Sequence, residues 1–259
     1  MNAEAKRNWI GLRTLTVKEV KRFYSVFGQT VTAPVVTALL YLLVFHQVME
    51  GRVEVYPGVS FSQFLLPGLI MMSVIQNAFA NSSSSLIQSK LLGNLVFILM
   101  APLAAVDLFV AYIAASLIRA GAVGLVLYAA TWPFVHLPVA QPLVLLGMFL
   151  LAGSTLAVIG LIAGIVAAKF DHLAAFQNFL ILPASFLSGV FYSIHTLPPF
   201  WYSVSHLNPF FYMIDGFRHG FLGVGDVAVW QCFVWTGAFF LLASAVCLLM
   251  LTRGYKLRP

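Results

Sequence analysis

Apolar residues along this chain fall into runs too long for the core of a soluble domain. Six of them, near residues 26–48, 62–83, 108–131, 143–168, 173–193 and 228–251, approach the roughly 20 residues that carry a helix across a bilayer. The pattern predicts an all-α, polytopic integral membrane protein with six transmembrane helices. Pro34, Pro67 and Pro183 fall in or near these runs, which membrane helices tolerate when neighbouring groups satisfy the freed carbonyl. Ahead of the first run, Trp9, Leu12, Thr16, Val20 and Phe23 recur at steps of three and four among Lys6, Arg7, Arg13, Lys18, Lys21 and Arg22. That period describes an amphipathic helix lying along a membrane surface. The expected organisation is one transmembrane domain over 1–259: an interfacial helix at 1–25, six spans within 26–251 and a cytoplasmic tail at 252–259.

Composition changes the picture in one direction only. Apolar residues make up 61% of the chain and charged ones 8%, against roughly a quarter charged in an average soluble domain. So few charges cannot coat a soluble surface, and lipid removes the need. The net charge of +6 lies mostly outside the runs, where it sets orientation. With the six basic residues of the N-terminal segment go Lys90, Lys169, Arg253, Lys256 and Arg258, whereas the alternate connections hold only Arg52 and Arg218. Both termini are therefore expected in the cytoplasm. The polar start through Tyr24 and the length of the next run are unlike a signal peptide, so the first span is expected to remain. No basic patch carries a nucleic-acid motif. Cys232 and Cys247 sit fifteen residues apart in one predicted helix, roughly 22 Å along it, too far for a disulfide.

Two connections are too long to be turns. Residues 84–107 run from the serine tract Ser82–Ser85 through a helical-looking segment to Ala101-Pro102-Leu103. Residues 194–227 form the other, and the stretch 186–221 holds 11 aromatics, about twice the chain average of 14%. Aromatics favour the membrane interface, so this stretch is expected to dip into the outer leaflet. Gly189, where the fifth span must stop, permits backbone angles other residues avoid. Beyond it Pro198-Pro199 and Asn208-Pro209 punctuate two short helices in place of one span.

Few residues here carry chemistry. Gly153, Ala157, Gly160, Gly164 and Ala168 form one small-residue face of the fourth span, for close packing within the chain or against a second copy. Arg119 lies near the middle of the third span, where an isolated charge costs at least about 2.5 kcal/mol. Either it faces a polar cavity and meets anionic cargo, or it bonds carbonyls of a neighbouring helix. Asp215 and Arg218 are spaced for an i, i+3 ion pair. The six histidines show no metal-ligand spacing, and no hydrolase, zinc-protease or P-loop motif occurs. Catalysis by this chain alone has no support, and no cofactor is expected on it.

The segment Leu187-Ser188-Gly189-Val190-Phe191-Tyr192-Ser193, then Leu197-Pro198-Pro199-Phe200-Trp201, Ser205-His206-Leu207-Asn208-Pro209 and Tyr212-Met213-Ile214-Asp215-Gly216-Phe217-Arg218, strongly resembles the C-terminal signature of ABC type-2 permeases. The likeness extends through Pro67-Gly68-Leu69-Ile70-Met71-Met72-Ser73-Val74-Ile75 and Ala101-Pro102, covers nearly the whole chain, and is strongest to the Yad-type bacterial branch. It implies a non-catalytic permease subunit of an ATP-binding-cassette exporter, paired as a homodimer and bound to two copies of a separate ATPase subunit that carries ATP and magnesium. Relatives export drugs, lipo-oligosaccharides or lipid-linked polysaccharides, which implies an amphipathic or lipid-linked substrate moved by alternating access. The resemblance also implies a cytoplasmic coupling helix after the second span, placing Lys90, Asn94, Phe97 and Pro102 at the ATPase contact. One departure stands out: where relatives usually carry a glutamate shortly before the coupling-region proline, this chain has Val96, Phe97 and Ile98. On the opposite side, the short helices are expected to close the dimer cavity as an outer gate built from Gly189, Phe191, Tyr192, Pro198, Pro199, Trp201, Pro209 and Tyr212. Two other classes compete. An ion-coupled secondary transporter would normally show intramembrane carboxylates and repeat symmetry, and an intramembrane enzyme would need a nucleophile–base constellation.

Overall fold

The computed structural model describes residues 9–49 and 55–257. Lys6, Arg7, Arg52 and Arg258, which entered the orientation argument, lie outside the described residues. The chain is helical along most of its described length: α1 (Trp9–Ser25), α2 (Phe27–Met49), α3 (Phe61–Leu91), α4 (Leu95–Met100), α5 (Ala105–Thr131), α6 (Pro142–Val166), α7 (Phe170–Phe176), a π-helical segment (Gln177–Ile181), α8 (Leu182–Phe186), α9 (Pro199–Leu207), α10 (Pro209–Leu222) and α11 (Val229–Arg253). Five of these, α2, α3, α5, α6 and α11, are long and apolar enough to cross a membrane.

The expected fifth span, near 173–193, takes a different form. The helical stretch begins at Phe170, is interrupted by the π-helical segment, and ends at Phe186, well short of the predicted boundary. Pro183, in the first turn of α8, lacks the amide hydrogen that would continue regular hydrogen bonding back into the preceding turn. The second span, in contrast, is longer than expected. At 1.5 Å per residue the 31 residues of α3 extend about 46 Å, beyond the roughly 30 Å hydrocarbon core. It starts at a reciprocal cap: Ser60 Oγ accepts from the Gln63 amide, and Gln63 Oε1 accepts from the Ser60 amide, each at 3.2 Å. It ends at Gly93, whose φ of +72° turns the chain into α4.

Helix α3 is the centre of the bundle. Its most apolar stretch is 78% buried, against 17% in α2 and 22% in α11, so the outer helices keep most of their apolar surface for lipid or for another chain. Packing of α3 on α6 is set by the small-residue face. A Cβ added at Gly160 would collide with the Phe79 carbonyl oxygen and Ser82 Oγ, and one at Gly164 would lie 3.1 Å from the Ser83 carbonyl oxygen. Ser82 Oγ uses that close approach to donate to the Ala157 carbonyl oxygen at 2.7 Å. Gly153, Gly160 and Gly164 thus pack within the chain.

Helix α1 is amphipathic, but its inward face is rotated from the expected one. Leu12, Leu15, Glu19 and Phe23 are buried, Thr16 and Val20 are half-buried, and Trp9 is 65% exposed. The steps of three and four fit either stripe, and a partner for Glu19 decides between them. Helices α1 and α4 and the C-terminal tail gather at one end of the bundle, hereafter the basic end. Leu257 of the tail joins Leu86, Leu95, Leu99, Leu108 and Leu251 beneath α4. Helices α9 and α10 and the loops 55–60 and 223–228 occupy the other, the signature end.

Candidate functional site

At the signature end, the chain turns back on itself at Gly189, whose φ of +73° other residues reach only with strain. The turn presents the Gly189 carbonyl inward, where Arg218 Nη2 donates to it at 2.7 Å. Arg218 is fully buried and is held on three further sides. Its Nε donates to the Phe64 carbonyl oxygen at 3.3 Å, its Nη1 lies 3.4 Å from Asp215 Oδ1, and its guanidinium carbon sits 3.9 Å from the Phe64 ring centroid. The i, i+3 pair expected from sequence is therefore present, but it is a buried hub and not a surface pair.

Asp215 extends the hub. Its two oxygens accept from the backbone amides of Asp226 and Val227 at 2.9 and 3.0 Å. Asp226 in turn accepts from Tyr56 Oη at 2.7 Å, Ser193 Oγ at 2.6 Å and the Ile194 amide at 2.9 Å. Burial, the larger influence, and the neighbouring carboxylates push the Tyr56 phenol well above its usual range, so it stays a donor. Four segments distant in sequence are clamped by two carboxylates and one guanidinium.

The aromatic residues named for the outer side divide into two groups. Phe191 packs inward, with ring centroids 5.4 Å from Tyr41, 5.3 Å from Phe45 and 5.5 Å from Phe186. Tyr212 donates to the His206 carbonyl oxygen at 3.0 Å and stacks on Trp235 at 5.7 Å. Trp201 and its neighbour Phe200 are exposed, and Tyr192 is half-buried. Pro198 and Pro199 open α9 and Pro209 opens α10, as their spacing predicts. Asn208 joins the two helices. Its Oδ1 accepts from the Phe210 amide at 3.0 Å while its Nδ2 donates to the Ala184 carbonyl oxygen at 2.7 Å, which ties the pair to α8.

At the basic end, α4 turns only one side inward. Leu95 is buried, whereas Val96, Phe97 (73% exposed) and Met100 (77% exposed), together with Leu91 and Leu92, form an apolar surface patch beside exposed Pro102. The helix within the 84–107 connection is short, because residues 84–91 belong to the end of α3. Asn94 precedes α4 without capping it through its side chain. Lys90 is engaged elsewhere: its Nζ donates to the carbonyl oxygens of Gly164, Ile165 and Ala167 at 3.3, 2.7 and 3.0 Å. That is the negative end of α6, where a cation is favoured.

A second polar cluster joins α1 to α3 and α5. Fully buried Glu19 accepts from Ser85 Oγ and pairs with Lys18 at 3.0 Å and Arg22 at 3.4 Å. Arg22 also donates to the Asn81 carbonyl oxygen at 2.9 Å and to Ser84 Oγ at 3.3 Å, and Asn81 Nδ2 donates to Ser116 Oγ at 3.2 Å. Farther along α3, Arg119 donates to Asn77 Oδ1 through Nη2 at 3.2 Å. It meets a side-chain amide, and not backbone carbonyls, of the neighbouring helix. Sequence reasoning missed Glu19, Asn81, Ser85 and Asp226. A serine tract inside a helix was the available signal for the first three, since hydroxyls in an apolar bundle need partners.

A helical bundle with one amphipathic surface helix, at least five membrane-length helices and no catalytic constellation among the described residues defines a polytopic membrane protein. Residues 11–222 match the ABC-2 type transporter family, and the chain belongs to that family. It is 36% identical over 250 residues to the inner membrane transport permease YadH of Escherichia coli K12, a match spanning 96% of this chain and 98% of the relative. The YadH proteins of Escherichia coli O157:H7 and Shigella flexneri match to the same extent.

Proposed function

We propose that this chain is the permease subunit of an ABC exporter in a bacterial inner membrane, working as a homodimer with two copies of a separate ATPase. In this reading α7, the π-helical segment and α8 together make the remaining span, the fifth of six in chain order. Seventeen helical residues reach about 26 Å, close to the hydrocarbon thickness. Both termini then lie in the cytoplasm, and the basic end faces the ATPase.

The observation that carries the reading is the exposed apolar side of α4. Phe97 and Met100 stand at the basic end, on a helix whose other side is anchored over the bundle core, with exposed Leu92 beside them at the end of α3. An isolated permease has no use for such a patch in water, and an ATPase surface would cover it. Apolar contact there stands in for the glutamate that relatives carry. Lys90 supports it indirectly, by fixing the end of α3 against α6, while Asn94 and Pro102 flank α4. Movement of α4 reaches α3 directly and α3 spans the whole bundle, which gives ATP closure a rigid lever. At the signature end, α9, α10 and the Gly189 turn form the outer gate, pivoting around the Asp215–Arg218 hub. The substrate is amphipathic or lipid-linked.

The test is reconstitution of the full chain with its cognate ABC ATPase in proteoliposomes. The expected result is stimulated ATP hydrolysis with flux of a fluorescent amphiphile only when ATP is present. Flux driven by an imposed ion gradient without ATP would overturn the reading in favour of a secondary carrier.

A further inference from the structure

Helix α3 is buried along most of its length, yet it keeps one open stripe. Ser73, Gln76, Ala80 and Ser84 are each half-exposed, at steps of three, four and four, and three of the four are polar. Facing hydrocarbon, such positions would be apolar, because unsatisfied polar groups there cost several kcal/mol. Ser84, at one end, already meets Arg22 Nη1 at 3.3 Å, which leaves Ser73 and Gln76 to front a polar occupant.

Asn77 lies on the same side and is fixed in orientation. Its Nδ2 donates to the Ser73 carbonyl oxygen at 3.0 Å, which turns Oδ1 toward α5. There it accepts from Arg119 Nε and Nη2 at 3.4 and 3.2 Å, while the Phe23 ring lies 6.0 Å from the guanidinium carbon. Both bonds run to a single neutral oxygen. Among the described residues no carboxylate pairs with Arg119, and its Nη1 carries no hydrogen bond. Glu19, the buried acid on α1, is taken by Arg22, Lys18 and Ser85. Gln76, next to Asn77 in the chain, has an enclosed Nε2 that also has no acceptor among the described residues. An uncompensated guanidinium thus stands beside the open stripe of α3.

We propose that Arg119, held by Asn77, forms a binding site for the anionic headgroup of an amphiphile, one bearing a phosphate or carboxylate. The anion accepts charge-assisted bonds from Arg119 Nη1, and Asn77 holds the guanidinium in place. This deepens the exporter reading by naming a substrate class, and depends on that reading for the direction of transport but not for binding.

Binding is measured by native mass spectrometry on the full chain in an uncharged maltoside, titrated with dioleoyl phosphatidylglycerol or dioleoyl phosphatidylcholine. The expected result is one phosphatidylglycerol held about tenfold more tightly than phosphatidylcholine. Arg119→Gln, which keeps a donor for Asn77, is expected to abolish the preference, and Arg119→Lys to keep most of it. Lys21→Gln, on the exposed side of α1, is expected to leave this one equivalent unchanged. Equal affinity for the two lipids, or an Arg119→Gln chain that keeps the preference, would overturn the site. Displacement by millimolar inorganic phosphate alone would assign it to a soluble anion and overturn the amphiphile. A chain that shows the lipid preference but never associates with an ATPase would leave this site standing and remove the exporter reading.

Discussion

Arg218 Nη2 and the Gly189 carbonyl oxygen, 29 residues apart in the chain, meet at 2.7 Å inside the bundle. The bond needs both the left-handed turn at Gly189 and the full burial of Arg218, so each residue explains the other's place in the signature. Arg218→Met removes this bond and leaves Asp215 buried without its counter-ion. Breaking one side of a buried pair costs about 3–5 kcal/mol. We expect a large fall in thermal unfolding temperature in detergent, only partly recovered in Arg218→Lys, whose ammonium cannot serve Gly189, Phe64 and Asp215 together with the same geometry.

Gly189→Val tests the turn itself. A side chain at φ +73° carries roughly 1–2 kcal/mol of strain, and its Cβ would lie 3.3 Å from the Tyr192 carbonyl oxygen. Export is expected to suffer more than assembly. Equal loss of both, measured as transport per folded dimer, would make the turn structural and not part of a gate.

Glu19→Gln leaves a side chain of the same size but removes the charge that holds Lys18 and Arg22. Amide hydrogen exchange in α1 is expected to rise by about tenfold, corresponding to loss of roughly 1.4 kcal/mol of local protection, with little change in α6. Uniform exchange across both helices would show that α1 is held by its apolar residues alone.

Phe97→Asp places a charge in the middle of the exposed α4 patch. Burying it against an ATPase without a partner costs several kcal/mol, whereas the free permease meets no such penalty. Co-purification of the ATPase is expected to drop while membrane insertion and unfolding temperature stay near those of the parent. Unchanged ATPase stimulation would move the contact elsewhere.

Orientation is tested by single cysteines at Arg52 and Lys169 in a chain lacking Cys232 and Cys247. A membrane-impermeant maleimide is expected to label Arg52→Cys from outside and Lys169→Cys only after permeabilisation. Labelling of both from outside would reject the six-span arrangement.

Sequence alone determined that the chain lives in a membrane, roughly where its helices run, and where α9 and α10 begin. Those properties follow from run length, from periodicity and from proline's missing amide, all local to the chain. The i, i+3 spacing of Asp215 and Arg218 was legible for the same reason. Tertiary structure decided which face of α1 turns inward, because the stripe through Trp9 and the stripe through Glu19 have the same period and only Ser85, 66 residues away, separates them. It decided that the helical stretch after α6 stops at Phe186, where aromatic contacts of Phe191 with α2 draw the chain back into the bundle. It also decided the partners of Lys90, Asp226 and Arg119. A polar group in a low-dielectric bundle takes the nearest acceptor in space, and spatial proximity between distant segments is not written in the spacing of either one.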